Sequence, residues 1–264
     1  MYEFEHHKPA SVADAASAMK GADDGKLLAG GQTMIPTLKQ RLASPSDLVD
    51  LGGIAELKGI TVSGGTITIG AMTTHAAVAT SAEIKSALPA LAELADHIGD
   101  AQVRNRGTIG GSVANNDPAA DYPAACLALG ATIHTSQRDI AADDFFTGLF
   151  ETALEEDEII TKVSFPVASK AAYVKFPNPA SRYALVGVFV ADGPAGIRVA
   201  VTGAGQDGVF RVPEMESALS GSFSADAIAD VKVSADDLNA DIHASADYRA
   251  HLITVMAKRA VAKV

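Results

Sequence analysis

A diglycine turn that opens a run of helical spacing occurs twice in this chain, and it constrains the fold more than any other feature. The first copy is Ala29-Gly30-Gly31-Gln32-Thr33 and the second is Thr108-Ile109-Gly110-Gly111-Ser112. A glycine pair reaches positive φ and lets backbone approach a neighbour with no Cβ in the way. Ahead of a helix, such a turn can converge several N–H groups on an anion. The first copy follows a strand-like stretch at 26–29 and precedes a helix expected over 34–42. Thr33 is its candidate cap, Pro36 is tolerable in its first turn, and Pro45 lies beyond its end. The second copy repeats the order, with a strand-like start and then small Ser112 and Ala114. One such turn alone reads more readily as plain strand-to-helix punctuation; two together can hold one diphosphate. A dinucleotide also brings ribose and ribityl hydroxyls that need acceptors, which Asp121 at the start of the next helix could supply.

Between and after these turns the pattern alternates strand and helix. Residues 47–51 and 66–69 read as strands, the latter alternating Thr with Ile between Gly65 and Gly70. Leu88, Leu91, Ala92, Ala95 and Ile98 recur at spacings of three and four, so a helix is expected over 88–97 with Gly99 as its stop. A loop carrying Arg104 and Arg106 leads to the second turn. Asp117 is a candidate N-cap, Pro118 a candidate first helical residue, and 122–129 continues the helix to Gly130. Strands at 131–135 and 159–165 follow, and Pro166 marks a boundary. Beyond it, apolar runs at 172–176, 183–191 and 197–202 can pair into a small sheet, followed by helices at 213–219 and 248–264. The fold class is α+β. With 264 residues, two packed units, or one large unit with a small appendage, are expected.

Several functions are disfavoured. A net charge of −11 opposes wrapping a nucleic acid, which calls for a basic face. Neither a basic leader with an apolar run nor an 18-residue apolar window is present, so the expected compartment is the cytoplasm, with no membrane span. The only cysteine, Cys126, cannot ligate an iron–sulfur cluster alone and reads as a packed, inert thiol. The seven histidines show no zinc-like spacing. The run Glu155 to Glu158 reads as a solvated turn. Gly203 to Gly208, GAGQDG, matches a dinucleotide fingerprint, yet Pro213 follows too soon for a helix to open at its third glycine, so it reads as a hairpin or a strand-to-helix turn. Tyr183, at the head of an apolar run, reads from its residues as a core-facing strand aromatic.

Long strings of the chain resemble one family from end to end: LLAGGQTMIPTLKQRLASPSDLVDL, QVRNRGTIGGSVANNDPAADYPAACLALGA, and VAVTGAGQDGVFRVPEMESAL with ADYRAHLITVMAKRA. They resemble the FAD-binding medium subunits of the molybdenum hydroxylases, especially those of aerobic carbon monoxide dehydrogenase. The resemblance implies an FAD-binding region at 1–168, built as two α+β subdomains of the vanillyl-alcohol oxidase type divided near residues 55–60. A small α+β C-terminal domain at 169–264 would follow, with GAGQDG in it. It implies FAD diphosphate contacts at Ala29, Gly30, Gly31, Gln32 and Thr33 and at Thr108, Ile109, Gly110, Gly111 and Ser112. It further implies an acidic partner for flavin hydroxyls at Asp121 and a ring against the isoalloxazine at Tyr183. Gln32 stands where some members have His, and Ser112 where many have Asn.

In such complexes a large subunit holds a molybdenum cofactor and a small subunit two [2Fe–2S] clusters, arranged as a dimer of heterotrimers. This chain would be the last station, passing electrons from FAD to a quinone, a cytochrome or NAD. The alternatives are a self-sufficient FAD-dependent reductase or oxidase of the same fold, and a scaffold that has kept the fold without the nucleotide.

Overall fold

A computed structural model describes residues 1–264. Parallel strands need crossovers, usually helical, and the chain begins with two of them. β1 (Glu5–His7), α1 (Val12–Gly21), β2 (Gly25–Leu28), α2 (Met34–Lys39) and β3 (Asp47–Asp50) form a parallel sheet of order β1-β3-β2. Ser11 caps α1 by accepting from the Asp14 N–H. Beneath the sheet lie Ala15, Met19, Val49, Leu51, Ile54 and Leu57. α2 ends at Lys39, before the expected Leu42, because Arg41 turns left-handed and Leu42 is left exposed. Thr33 sits at the N-cap of α2 but makes no side-chain capping bond.

The next strands are β4 (Ile60–Ser63) and β5 (Thr66–Gly70). Six helices then run in succession: α3 (His75–Thr80), α4 (Ala82–Ala87), α5 (Pro89–Asp96), α6 (Ala101–Arg106), α7 (Ile109–Asn115) and α8 (Tyr122–Leu129). They are followed by β6 (Thr132–Thr135), β7 (Asp139–Ala141), α9 (Ala142–Phe145), the short hairpin of β8 (Phe146–Gly148) and β9 (Glu151–Thr152), and β10 (Ile160–Pro166). Five of these strands make an antiparallel sheet of order β4-β5-β10-β6-β7. Its period-two pattern buries Ile67, Ile69, Ile133, Val163 and Phe165 against the helices.

Three expectations are corrected in this region. The stretch with Arg104 and Arg106 is helix α6, capped by the Asp100 carboxylate on the Val103 N–H, where a loop was expected. The second glycine turn has no strand before it: Thr108 is the N-cap of α7, and Gly110 and Gly111 lie inside the helix. Asp117 and Pro118 do not start the next helix. Residues 117–120 form a separate turn, closed by Asp117 Oδ1 accepting from the Ala119 N–H, and α8 begins at Tyr122 with Pro123 in its first turn.

β11 (Lys170–Pro177), β12 (Ala184–Gly193), β13 (Gly196–Gly205) and β14 (Gly208–Arg211) form an antiparallel meander, with α10 (Pro213–Gly221) and α11 (Ala246–Val261) after it. GAGQDG is the β13–β14 hairpin, with Gly205 paired to Gly208. One sheet face presents Tyr173, Phe189, Ala191 and Ala200 to α8 and its neighbours. The other presents Val186, Val188, Val199 and Val201 to Leu252, Ile253 and Met256 of α11. Every residue of α8 is buried, as expected of a helix that is apolar all round. Burial pushes the Cys126 thiol well up, so it is inert at neutral pH. No helix is long and apolar enough to cross a membrane.

Candidate cofactor-binding site

The first glycine turn connects β2 to α2, and the second opens α7. They are held together by close backbone packing. A Cβ on Gly30 would lie 2.1 Å from the Arg106 carbonyl oxygen and 2.7 Å from Gly107 Cα, and one on Gly111 would lie 3.2 Å from Ala29 Cβ. Gly31 has φ +74°, a conformation that favours glycine. The glycines are thus needed first for packing of protein on protein. The two turns border one cleft of about 490 Å³, together with Asp117, Asp121, His75 and Tyr183.

The turns differ in what they offer an anion. In the first, the backbone N–H groups of Gly30, Gly31, Gln32 and Thr33 donate to no acceptor in the chain, so four donors remain for a ligand or solvent. In the second, Ile109 donates to Thr73 O, Gly110 to Ala71 O at 2.8 Å, Gly111 to the Thr108 hydroxyl and Ser112 to Thr108 O. The second turn is therefore not a repeat of the first. Its amides from Ile109 to Ser112 are committed to the fold, and it brings hydroxyls and shape to the cleft instead. Gly110 is required because a Cβ there would lie 2.6 Å from Ala71 Cβ and 2.8 Å from Ala71 O.

Asp121, expected on an accessible first turn, is 4% exposed. Its Oδ1 accepts from Tyr173 Oη at 2.5 Å and lies 2.9 Å from Lys175 Nζ, which also contacts Oδ2 at 3.1 Å. Burial raises its carboxyl above the usual range, opposed by Lys175 and the Tyr173 bond. From the other side, the Thr202 hydroxyl donates to Pro118 O and Ala120 O, and the Gly203 N–H donates to Pro118 O, so β13 grips the 117–121 turn. Burial likewise raises Asp117.

Tyr183 is not core-facing. It is 50% exposed in the loop before β12 and borders the cleft, and its hydroxyl is raised by burial and then by Asp117 and Asp121. Nor is the acidic run a solvated turn throughout. The Glu158 carboxylate is buried and accepts from Arg138 Nε and Nη2, Thr135 Oγ1 and the Glu155 N–H. Burial alone would raise it, but these bonds win and hold it at about 2.

Three site neighbours carry no local sequence signal. His75, buried beside Gly107, is depressed to about 4 by burial and then by Arg104, so its ring is neutral at pH 7, and its Nδ1 has no partner. Tyr173 and Lys175 meet Asp121 from more than fifty residues away. Only their two-residue spacing on one strand, which places them on one sheet face, hints at a shared role.

Unpaired amides at a glycine turn and a buried carboxylate with acceptor capacity to spare, bordering one cleft, suit a phosphate-bearing ligand that also carries hydroxyls. Residues 2–168 match the family model described as the FAD binding domain in molybdopterin dehydrogenase. The chain is 35% identical to the nicotine 6-hydroxylase medium subunit of Paenarthrobacter nicotinovorans, over 98% of its own length and 96% of that protein. It is also 35% identical to the carbon monoxide dehydrogenase medium chain of Hydrogenophaga pseudoflava, with the same coverage. The solved carbon monoxide dehydrogenase from H. pseudoflava that lacks the Mo-pyranopterin moiety superposes with a TM-score of 0.87, covering 98% of this chain and 96% of that one. The chain belongs to the FAD-binding medium subunits of the molybdenum hydroxylases, flavoprotein components of oxidoreductases.

Proposed function

We propose that this chain is the electron-transfer subunit of a cytoplasmic molybdenum hydroxylase resembling aerobic carbon monoxide dehydrogenase. It takes electrons from the [2Fe–2S] clusters of a small subunit and passes them from FAD to an external acceptor: a quinone, a cytochrome or NAD. Substrate is oxidised on a large molybdenum-cofactor subunit, and the assembly is a dimer of heterotrimers. The observation that carries this reading is the cleft, with four free amides at one turn and no cluster-forming thiols in the chain, since Cys126 is alone and buried. Bound FAD supplies the exchange between one-electron donors and a two-electron acceptor.

The residues of the chain do the rest. Gly30, Gly31, Gln32 and Thr33 present donors to the diphosphate, with Ala29 flanking them. Thr108, Ile109, Gly110, Gly111 and Ser112 hold the opposite wall. Asp121 would accept from cofactor hydroxyls, and Tyr183, on the border of the cleft, would limit access to the isoalloxazine. We assign FAD binding to residues 1–168 as two subdomains divided near 55–60, and a C-terminal domain to 169–264. Support comes from the parallel sheet ending at Asp50, the antiparallel sheet beginning at Ile60 and the separate meander after Lys170.

The test is to load the purified chain with FAD and supply organic substrates of the relatives without other subunits. FAD uptake with no substrate turnover, and rapid oxidation of the reduced chain by an added quinone, is the expected result. Turnover by the isolated chain would overturn the relay.

A further inference from the structure

Lys175 and Tyr173 project from the same face of β11, two residues apart, and both end on the Asp121 carboxylate. Lys175 Nζ is itself almost wholly buried and donates in addition to the His97 carbonyl at the end of α5. A lysine buried this deeply holds its charge only beside an anion and acceptors, and here both are provided. A carboxylate has about four lone-pair sites on its two oxygens. Oδ1 is occupied by Tyr173 and Lys175, whereas Oδ2 receives only Lys175, so acceptor capacity remains on Oδ2 of a residue that borders the cleft.

We infer that Lys175 and Tyr173 are positioning residues for Asp121: from the C-terminal sheet they fix its carboxylate as a charged acceptor, leaving Oδ2 for a cofactor hydroxyl. The inference rests on the proposed role of Asp121 toward FAD. Without the pair, burial would drive the carboxyl to its neutral form at higher pH, and a neutral acid spends its proton as a donor and accepts less well. The ionisable groups around Asp121 are few. Lys175 and Tyr173 approach from β11, and His97 from the end of α5. Tyr122 and Cys126 lie on its own helix, Asp117 belongs to the same 117–121 turn, and Tyr183, in the loop before β12, has its hydroxyl raised by both carboxylates. Lys175 is the nearest cation among them, so its removal acts on Asp121 first.

The experiment titrates FAD into the full-length chain by quenching of flavin fluorescence, from about pH 5.5 to 8.5, for wild type, Lys175→Met, Tyr173→Phe, Lys175→Arg and Asp121→Asn. Asp121→Asn is expected to weaken binding and to lack a pH step. In Lys175→Met and Tyr173→Phe, Kd should rise roughly tenfold at neutral pH, and the rise in Kd on acidification should begin about one pH unit higher than in wild type. Lys175→Arg should recover much of the wild-type profile. Tyr173→Phe removes one hydroxyl at nearly constant volume, so it keeps the test open if Lys175→Met does not fold. Wild-type Kd and pH profile in both Tyr173→Phe and Lys175→Met would overturn the inference. Wild-type affinity in Asp121→Asn would instead overturn the hydroxyl-acceptor role on which it rests.

Discussion

Replacing Gly30 with alanine is the most direct probe of how the two turns are joined. The added Cβ would lie 2.1 Å from the Arg106 carbonyl oxygen and within 3 Å of Gly107 Cα, both of them backbone. Ordinary contact begins near 3.4 Å, so one side of the seam must retreat by roughly 1.3 Å. Overpacking of this kind costs about 1–3 kcal/mol. If the turns stay together, the cost falls on stability and lowers the thermal midpoint. If they part, the amides at 30–33 leave their place and the cost falls on FAD affinity, as a rise of roughly 5- to 150-fold in Kd. Both quantities are measured on the same protein, by thermal denaturation of the FAD-free form and by flavin titration. Gly21→Ala serves as a control, because a Cβ at the end of α1 would meet nothing within 4 Å. Gly30→Ala matching Gly21→Ala in both measurements would refute the seam argument.

Gly110→Val should lower the thermal midpoint even without FAD, since its branches would enter the Ala71 backbone, and an unchanged melting curve would count against this packing. His75 is depressed from 6.5 to about 4 by burial and Arg104. Its contribution to stability is therefore full above pH 6.5 and is lost as pH falls toward 4, about 3 kcal/mol in all. Urea unfolding at several pH values should show His75→Phe losing that part of the slope; an identical slope in the variant would refute it. Glu158, held at about 2 against an ordinary 4.5, contributes stability above pH 4.5 that is lost as pH falls toward 2. Arg138→Met should be destabilised at neutral pH and respond less to acid below pH 4.5, as thermal melts across that range will show.

The parts of the fold legible in the sequence are those whose signal is local. The apolar spacing of α5, the glycine stop after α8, the alternation of β5 and the three long C-terminal runs all depend on neighbours within a few residues. Short helices were harder: α6 has six residues and buries none of them fully, so no apolar period marks it. The two glycine turns look alike as strings, but which of them has free amides depends on Ala71 and Thr73, contributed by the β5–α3 connection. Asp121 reads as a surface acid until Tyr173 and Lys175 are brought to it, and Glu158 as part of a solvated run until Arg138 and Thr135 enclose it. Tyr183 misleads in the opposite sense, since an apolar run suggests burial for a residue that sits just before its strand.

The grip of β13 on the 117–121 turn has a consequence for the order of events in synthesis. Thr202 meets the carbonyls of Pro118 and Ala120 across 84 and 82 residues of chain. When the ribosome has released both glycine turns and Asp121, neither β13, which grips that turn, nor β11, which steadies its carboxylate, has yet been made. FAD loading should therefore follow chain completion, and nascent chains arrested before Lys170 should emerge without flavin even when the amides of Gly30 to Thr33 are already exposed.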